Sequence, residues 1–284
     1  MPLMEAVDNY MHYLQSIDKS ARTVEGYQGD LIMLRKWLEI KYNCPAYFED
    51  ISQSDVEDFL LMLKQERHYQ ASSRKRVMIS LRMFYRYGYR KKLCPVDLGV
   101  EFEPIKVQQK EREYLTEKEV QQFVAAVDHR LIQVAILIMF YAGLRITECL
   151  NLKVEDVELE RKILKVVAGK GNKDRTIPIC DKLGAILLDY LSWREESKYL
   201  LATKKSGWLS KVRVSAVIQE TVKKLGLKKR ITAHTFRHSF ASRLVAGNIN
   251  IVSISKLLGH ADIKTTSIYT HVNMEQLQEA VKVL

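Results

Sequence analysis

The chain has 284 residues, enough for two domains of ordinary size, and its 47% apolar content is that of a globular protein rather than a disordered or fibrous one. A net charge of +11 and a pI near 9.3 point to a polyanionic partner, and the longest apolar run, Val134 to Ala142, is far too short to cross a bilayer. Cys44, Cys94, Cys149 and Cys180 are scattered without a CxxC pair or a Cys/His zinc spacing, which argues against a disulfide framework or metal module.

The first segments have helical spacing. Val7, Tyr10, Met11 and Leu14 recur over 5–17, and Val24, Tyr27, Leu31, Leu34 and Leu38 over 21–41. A third helix is predicted from Ser52, with Asp55 as a capping-box variant, through Val56, Phe59, Leu60 and Leu63. The fourth, over 72–90, can turn Val77, Leu81, Phe84 and Tyr85 to a core and Arg74, Lys75, Arg82 and Arg86 outward.

Charge is distributed unevenly along these helices. Residues 1–63 carry five basic and eleven acidic side chains, whereas 64–92 carry ten basic against Glu66 alone. That nearly acid-free stretch, with Arg74, Lys75, Arg76, Arg82 and Arg86, is the predicted DNA-facing surface, a solvated basic face being the bland alternative. Residues 94–113 combine two prolines, a glycine and polar charged residues, which is linker composition rather than core. A domain boundary is therefore expected near 105, with linker to about 113.

The second domain opens on a predicted capping box, Thr116 to Glu119, ahead of Val120, Phe123, Val124 and Val127. Leu131 to Ala142 is apolar nearly all round, as a central buried helix should be, and Gly143 is a fitting C-terminal stop. Arg145 follows at once, with Glu148 one helical turn on and able to orient it. Residues 162–179 turn to strand character, ILKVV and TIPI flanking AGKGNKDR, so a β-hairpin is predicted with Lys170 in its turn and Lys173 and Arg175 beside it. Such a loop can enter a groove and bring an ammonium to a leaving group. Helices resume over about 183–196 and 210–225.

The C-terminal fifty residues carry the densest chemistry. His234 and Arg237 stand three apart in a segment of helical period, so both project from one face and can grip one anion. The Arg fork suits phosphate oxygens. His260 follows Gly259 at the end of an apolar run, where a helix stops. Tyr269 carries a hydroxyl able to form a phosphoester and later be displaced from it, so the set reads as a transesterification site. Tyr141 and Tyr190 lie in apolar periodic segments and read as core; His238 and His271 read as structural.

Taken together, AGLRITECLNL, GKGNKDR, HTFRHSFAS and LLGHADIKTTSIYTHV resemble, in order and interval, the boxes of the tyrosine recombinases, the phage integrase family. The resemblance covers nearly the whole chain. It implies a mainly α fold: an N-terminal four-helix core-binding domain of SAM-like type over 1–105, and a mixed, mainly α catalytic domain over 114–284 with a small antiparallel β-sheet. It implies that Tyr269 attacks the scissile phosphate to give a 3'-phosphotyrosine and a free 5'-hydroxyl. Arg145 and Arg237 would hold the non-bridging oxygens, Lys170 protonate the departing oxygen, His234 act as base or proton shuttle, and His260 donate a further hydrogen bond, with Glu148 in support.

No ATP is implied, because the phosphotyrosine conserves the bond energy, and no cofactor or catalytic metal is expected, because no acidic trio accompanies the boxes. The implied partners are double-stranded DNA with specific core sites, a homo-tetramer in the synaptic complex and accessory proteins, without a membrane. The tail 274–284, with Leu277, Val281 and Leu284 on one face, is too short to stand alone and needs a groove to dock into. The resemblance implies that the groove belongs to a neighbouring subunit, making the tail an exchange helix, with packing within the same chain as the alternative. A cytoplasmic location, nucleoid-associated when DNA-bound, goes with this reading. The early start of the core-binding helices suggests a compact recombinase that resolves dimers or cointegrates, or integrates a mobile element. A non-catalytic DNA-binding protein and a type IB-like topoisomerase are the rival readings.

Overall fold

Leu3, Ala6, Val7, Tyr10, Met11 and Leu14 recur at three- and four-residue steps and are buried, which sets the stripe of the first helix, α1, Leu3–Ser16. The computed structural model describes residues 1–108, 113–167 and 174–259. It divides into two compact units, Met1–Lys110 and Glu111–Leu284.

In the first unit α1 is followed by α2 (Ala21–Tyr42), α3 (Gln53–Gln65) and α4 (Ala71–Arg90). Local side chains fix where they begin and end. Ser20 accepts from the Thr23 N–H at the start of α2, and Asn43 closes that helix in the left-handed conformation at φ 53°. The predicted capping box of α3 is present: the Asp55 N–H donates to Ser52 Oγ at 3.2 Å, and the Ser52 N–H to Asp55 Oδ2 at 3.0 Å. The core is aromatic at its centre, where Phe84 packs against Tyr10 with ring centroids 5.4 Å apart and edge-on against Phe48 at 5.1 Å. A Cβ on Gly88 of α4 would come within 2.2 Å of Phe48, so glycine is what lets that ring in.

The stretch from 94 onward is not all linker. Leu98–Glu101 forms a short helix, α5, started by Asp97 accepting from the Gly99 N–H at 3.0 Å, and it packs on α4. Phe102, 6% exposed, joins the core edge-on to Tyr85. Gly99, one of the residues that suggest a loop, lies inside α5, where a Cβ would come within 2.6 Å of the Arg82 carbonyl oxygen of α4.

The second unit is built around α7, Arg130–Ala142, nine of whose thirteen residues are buried. Gly143 ends it at φ 65°, as its position after the apolar run predicts. Helices α6 (Glu117–Ala125), α8 (Ile146–Asn151), α9 (Asp181–Trp193) and α11 (Ala233–Ala246) pack against it, with α10 (Lys211–Lys224) against α8 and α12 (Ile251–Leu258) against α11. The Thr116–Glu119 capping box is formed. Phe123 of α6 meets Phe236 of α11 edge-on at 5.5 Å.

The predicted hairpin strands are present as β2 (Ile163–Val166) and β3 (Arg175–Pro178), antiparallel, with Leu164 opposite Ile177 and both buried. A two-residue strand the periodicity did not reveal, β1 (Val157–Glu158), completes the order β1-β2-β3. No helix among the described residues is long and apolar enough to cross a membrane.

Candidate functional site

Two helices end at the same place. The final carbonyls of a helix have no partner within it, and they carry the negative end of its dipole. At the end of α7 the Gly143 carbonyl, and at the end of α12 those of Leu257, Leu258 and Gly259, all accept hydrogen bonds from arginines. Arg237, in the second turn of α11, bridges the two ends: Nη1 donates to Gly143 and Nη2 to Leu258, each at 2.7 Å. Its side chain is 4% exposed.

The cations converge on one carboxylate. Glu148, in the first turn of α8, accepts from Arg145 Nη1 at 2.5 Å and from the Arg145 backbone N–H at 2.8 Å. Arg237 Nη1 stands 3.6 Å from the same group. Arg145 Nη2 also donates to the Gly259 carbonyl at 3.2 Å, and 16% of the Arg145 side chain reaches solvent. Burial alone would raise the Glu148 pKa, but the hydrogen bonds from the Arg175 guanidinium and the Arg145 backbone, together with the Arg175 charge, hold it down at about 2. It is therefore an anion at neutral pH.

Arg175 is the residue whose place differs most from expectation. Predicted as a DNA contact beside the hairpin turn, it lies at the start of β3 with a side chain only 10% exposed. It grips Glu148 with both terminal nitrogens, at 3.1 and 2.9 Å, and its Nε donates to the Leu257 carbonyl at 2.8 Å. Three guanidiniums around one carboxylate leave a surplus of two positive charges beside two helix ends. Such a cluster is suited to a phosphodiester anion.

His234 lies one turn before Arg237 on α11 and is exposed, with its ring 6.3 Å from that of His238. The N-terminus of α11 is fixed by the Thr232 N–H donating to Thr235 Oγ1 at 3.0 Å. Lys170, Lys173, His260, Tyr269 and the tail 274–284 lie outside the described residues. The tyrosines read as core are engaged internally: Tyr190 is fully buried and donates to the Leu200 carbonyl at 2.6 Å, and the half-buried Tyr141 donates to Glu117 at 2.8 Å.

In the first unit the basic stretch is less uniform than its sequence suggests. Arg76 turns onto the buried Asp30, with Nη1 and Nη2 at 2.5 and 2.6 Å, and Ser80 adds a third bond to that carboxylate at 2.9 Å. Arg82 donates to the Phe102 carbonyl. Arg74 is half-buried, while Lys75 and Arg86 are exposed. Arg76 and Arg82 thus hold the helical unit together rather than standing as unattached cations.

Against known protein families, the pattern of the phage integrase family matches residues 113–276, more than half of the chain, and that of the phage integrase N-terminal SAM-like domain matches 7–92. The chain belongs to the phage integrase family. Its similarity to curated members extends over its whole length. It is 31% identical over 291 residues to a tyrosine recombinase of Thermosipho africanus, with 99% of each chain covered. It is 32% identical over 285 residues to tyrosine recombinase XerA of Pyrococcus horikoshii, covering 98% of this chain and 93% of the relative. As a member of the family the protein is a tyrosine recombinase, a DNA strand-transferring enzyme.

Solved structures share the fold. The Tn1549 transposon integrase in complex with a circular intermediate DNA superposes with a TM-score of 0.83 at 17% identity over the full length of both chains. A lambda integrase dimer bound to a COC' core site gives 0.79 at 22%, covering 93% of this chain and 97% of that one.

Proposed function

We propose that the protein cuts and rejoins double-stranded DNA at specific core sites through a tyrosine ester formed by Tyr269. What carries the reading is the pairing of Arg145 and Arg237 on one buried carboxylate, where two helix ends supply further fixed acceptors. A phosphodiester bearing one negative charge in its ground state gains charge on its equatorial oxygens as the nucleophile adds. Two pre-placed guanidiniums stabilise that gain without reorganising.

The reaction balances as a transesterification. The Tyr269 hydroxyl gives up its proton, with His234 as base or shuttle, because at an ordinary pKa of about 10 little phenolate exists at neutral pH. The phenolate oxygen bonds to phosphorus, and the bond from phosphorus to the 5'-oxygen breaks. Lys170 delivers a proton to that oxygen. The products are a 3'-phosphotyrosine and a free 5'-hydroxyl, and the hydroxyl of a partner strand reverses the steps. His260 donates to the phosphate, and Glu148 holds the arginines. The domain roles follow the same reading: 1–105 is the core-binding domain and 114–284 the catalytic domain, with Lys75 and Arg86 on the phosphate-contacting surface.

Strand exchange between two sites takes a homo-tetramer in the synaptic complex, linked by the tail 274–284, with accessory proteins setting direction. Its outcome is the resolution of DNA dimers or cointegrates, or the integration of a mobile element. A duplex nicked near the cleavage point tests the chemistry, since loss of the short 5'-hydroxyl fragment traps the ester. The unaltered protein should accumulate a covalent DNA adduct. Specific binding without any adduct would mean a non-catalytic DNA-binding protein, and equal action on random DNA would mean a topoisomerase.

A further inference from the structure

Arg175 has every nitrogen of its guanidinium engaged inside the protein, by partners 27 and 82 residues away in the chain. Its two-pronged grip on Glu148 fixes the plane of the carboxylate, and Arg145 then takes its own position from that plane through backbone and side chain together. The Nε bond to Leu257 ties the same guanidinium to the end of α12. The packing there is close: Gly259 sits at φ 63°, and a Cβ on it would lie 3.0 Å from Arg175 Nη1. Three separate segments therefore meet on this side chain: α8 with Arg145, β3 leading out of 168–173, and the end of α12 beside Arg237.

Charge gives Arg175 a second effect. Without it, Glu148 would stand, among the described residues, against Arg145 and Arg237, cutting the surplus of this cluster from two positive charges to one and drawing both arginines more strongly to itself. We infer that Arg175 is a positioning residue for strand cleavage, which locks Glu148 so that Arg145 and Arg237 remain directed at the scissile phosphate, and that it is not a DNA contact. The inference deepens the recombinase reading and rests on it.

The test compares the full-length protein with Arg175→Lys and Arg175→Ala on two nicked duplexes. One carries the ordinary scissile phosphate; the other carries a methylphosphonate, in which a methyl group replaces one non-bridging oxygen and removes the charge. Arg175→Ala should bind a single site with unchanged affinity and salt dependence, yet form adduct about 100-fold more slowly at saturating DNA. Arg175→Lys keeps the charge but cannot reach Glu148 and Leu257 together, so its loss should be intermediate. On the uncharged duplex, where the arginines have less charge to neutralise, the variants should come within a few-fold of the unaltered protein.

Three results would overturn the inference. Unchanged cleavage would remove Arg175 from the reaction, and weaker binding with a shallower salt slope but a normal saturated rate would make it a DNA contact. Equal losses on both duplexes, with a lowered melting temperature, would make its role structural only. Failure of the unaltered protein to form adduct on the charged duplex is a separate result, which overturns the recombinase reading and the role of Arg175 with it.

Discussion

Glu148 holds Arg145 twice: the Arg145 backbone N–H donates to Oε2 at 2.8 Å, and its guanidinium Nη1 donates to Oε1 at 2.5 Å. One carboxylate therefore starts helix α8 and aims the cation that precedes it. The sequence AGLRITE carries the device in six residues from Gly143 to Glu148, with Gly143 stopping α7, Arg145 at the N-cap and Glu148 one turn later.

Replacing Glu148 should remove one part of the protein's loss of stability in acid. Its folded pKa of about 2 lies below the usual value of 4.5, so it contributes stability that is present above about 4.5 and lost as pH falls toward 2. The side chain is 5% exposed, and the contribution at neutral pH is on the order of 3 kcal/mol. Glu148→Gln should lower the unfolding midpoint at pH 7, and the difference from the unaltered protein should shrink between pH 4.5 and 2. Urea unfolding at several pH values measures it; a difference constant with pH would contradict the assignment.

Arg237→Lys should keep the charge and lose the function. A single ammonium cannot hold the Gly143 and Leu258 carbonyls at 2.7 Å each and still stand beside Glu148. Adduct formation from a nicked duplex at saturating DNA should fall about 100-fold or more, with single-site affinity nearly unchanged. A rate within a few-fold of the unaltered protein would show that the fork geometry is dispensable.

Much of the framework was legible because it is local. The capping boxes at Ser52–Asp55 and Thr116–Glu119 span three residues, and α7 with its Gly143 stop is one apolar run. The β2–β3 pair was legible from its flanks. What escaped depends on distant partners. Arg76 finds Asp30 forty-six residues away, Arg82 finds Phe102 twenty away, and Arg175 finds Leu257 eighty-two away. Each looked like a surface cation because no neighbour in sequence reveals its acceptor. Leu98–Glu101 looked like linker because its burial comes from α4, and β1 is too short for a period to register.

Two neighbouring cations on α4 should separate by effect. Arg76→Ala leaves Asp30, 3% exposed, with Ser80 as its one remaining side-chain hydrogen-bond partner among the described residues, and should destabilise the helical unit by about 2 kcal/mol. Lys75→Ala should leave stability unchanged and weaken DNA binding uniformly across sequences, lowering the salt slope by about 1. Thermal unfolding and binding titrations at several salt concentrations distinguish them. The opposite pattern would reverse the two roles.

Gly143→Ala tests the shared helix end. The residue sits at φ 65°, and an added Cβ would come within 2.4 Å of the Phe240 ring. The variant should lose roughly 2 kcal/mol or more of stability, and adduct formation should fall with it, because the Gly143 carbonyl positions Arg237. A stable, fully active variant would show that this end of α7 can move without disturbing the site.

Deleting 274–284 should weaken synapsis and spare single-site binding. Gel-shift assays with one and two core sites read both; an intact two-site complex would rule out an exchange role for the tail.

The most direct measurement of the central claim is the chemical identity of the trapped ester. Mass spectrometry of the digested adduct should find a nucleotide 3'-phosphate joined to the peptide that contains Tyr269, and Tyr269→Phe should bind the same duplex and form no adduct. Attachment to any other residue, linkage through a 5'-phosphate, or an adduct surviving in Tyr269→Phe would contradict the account.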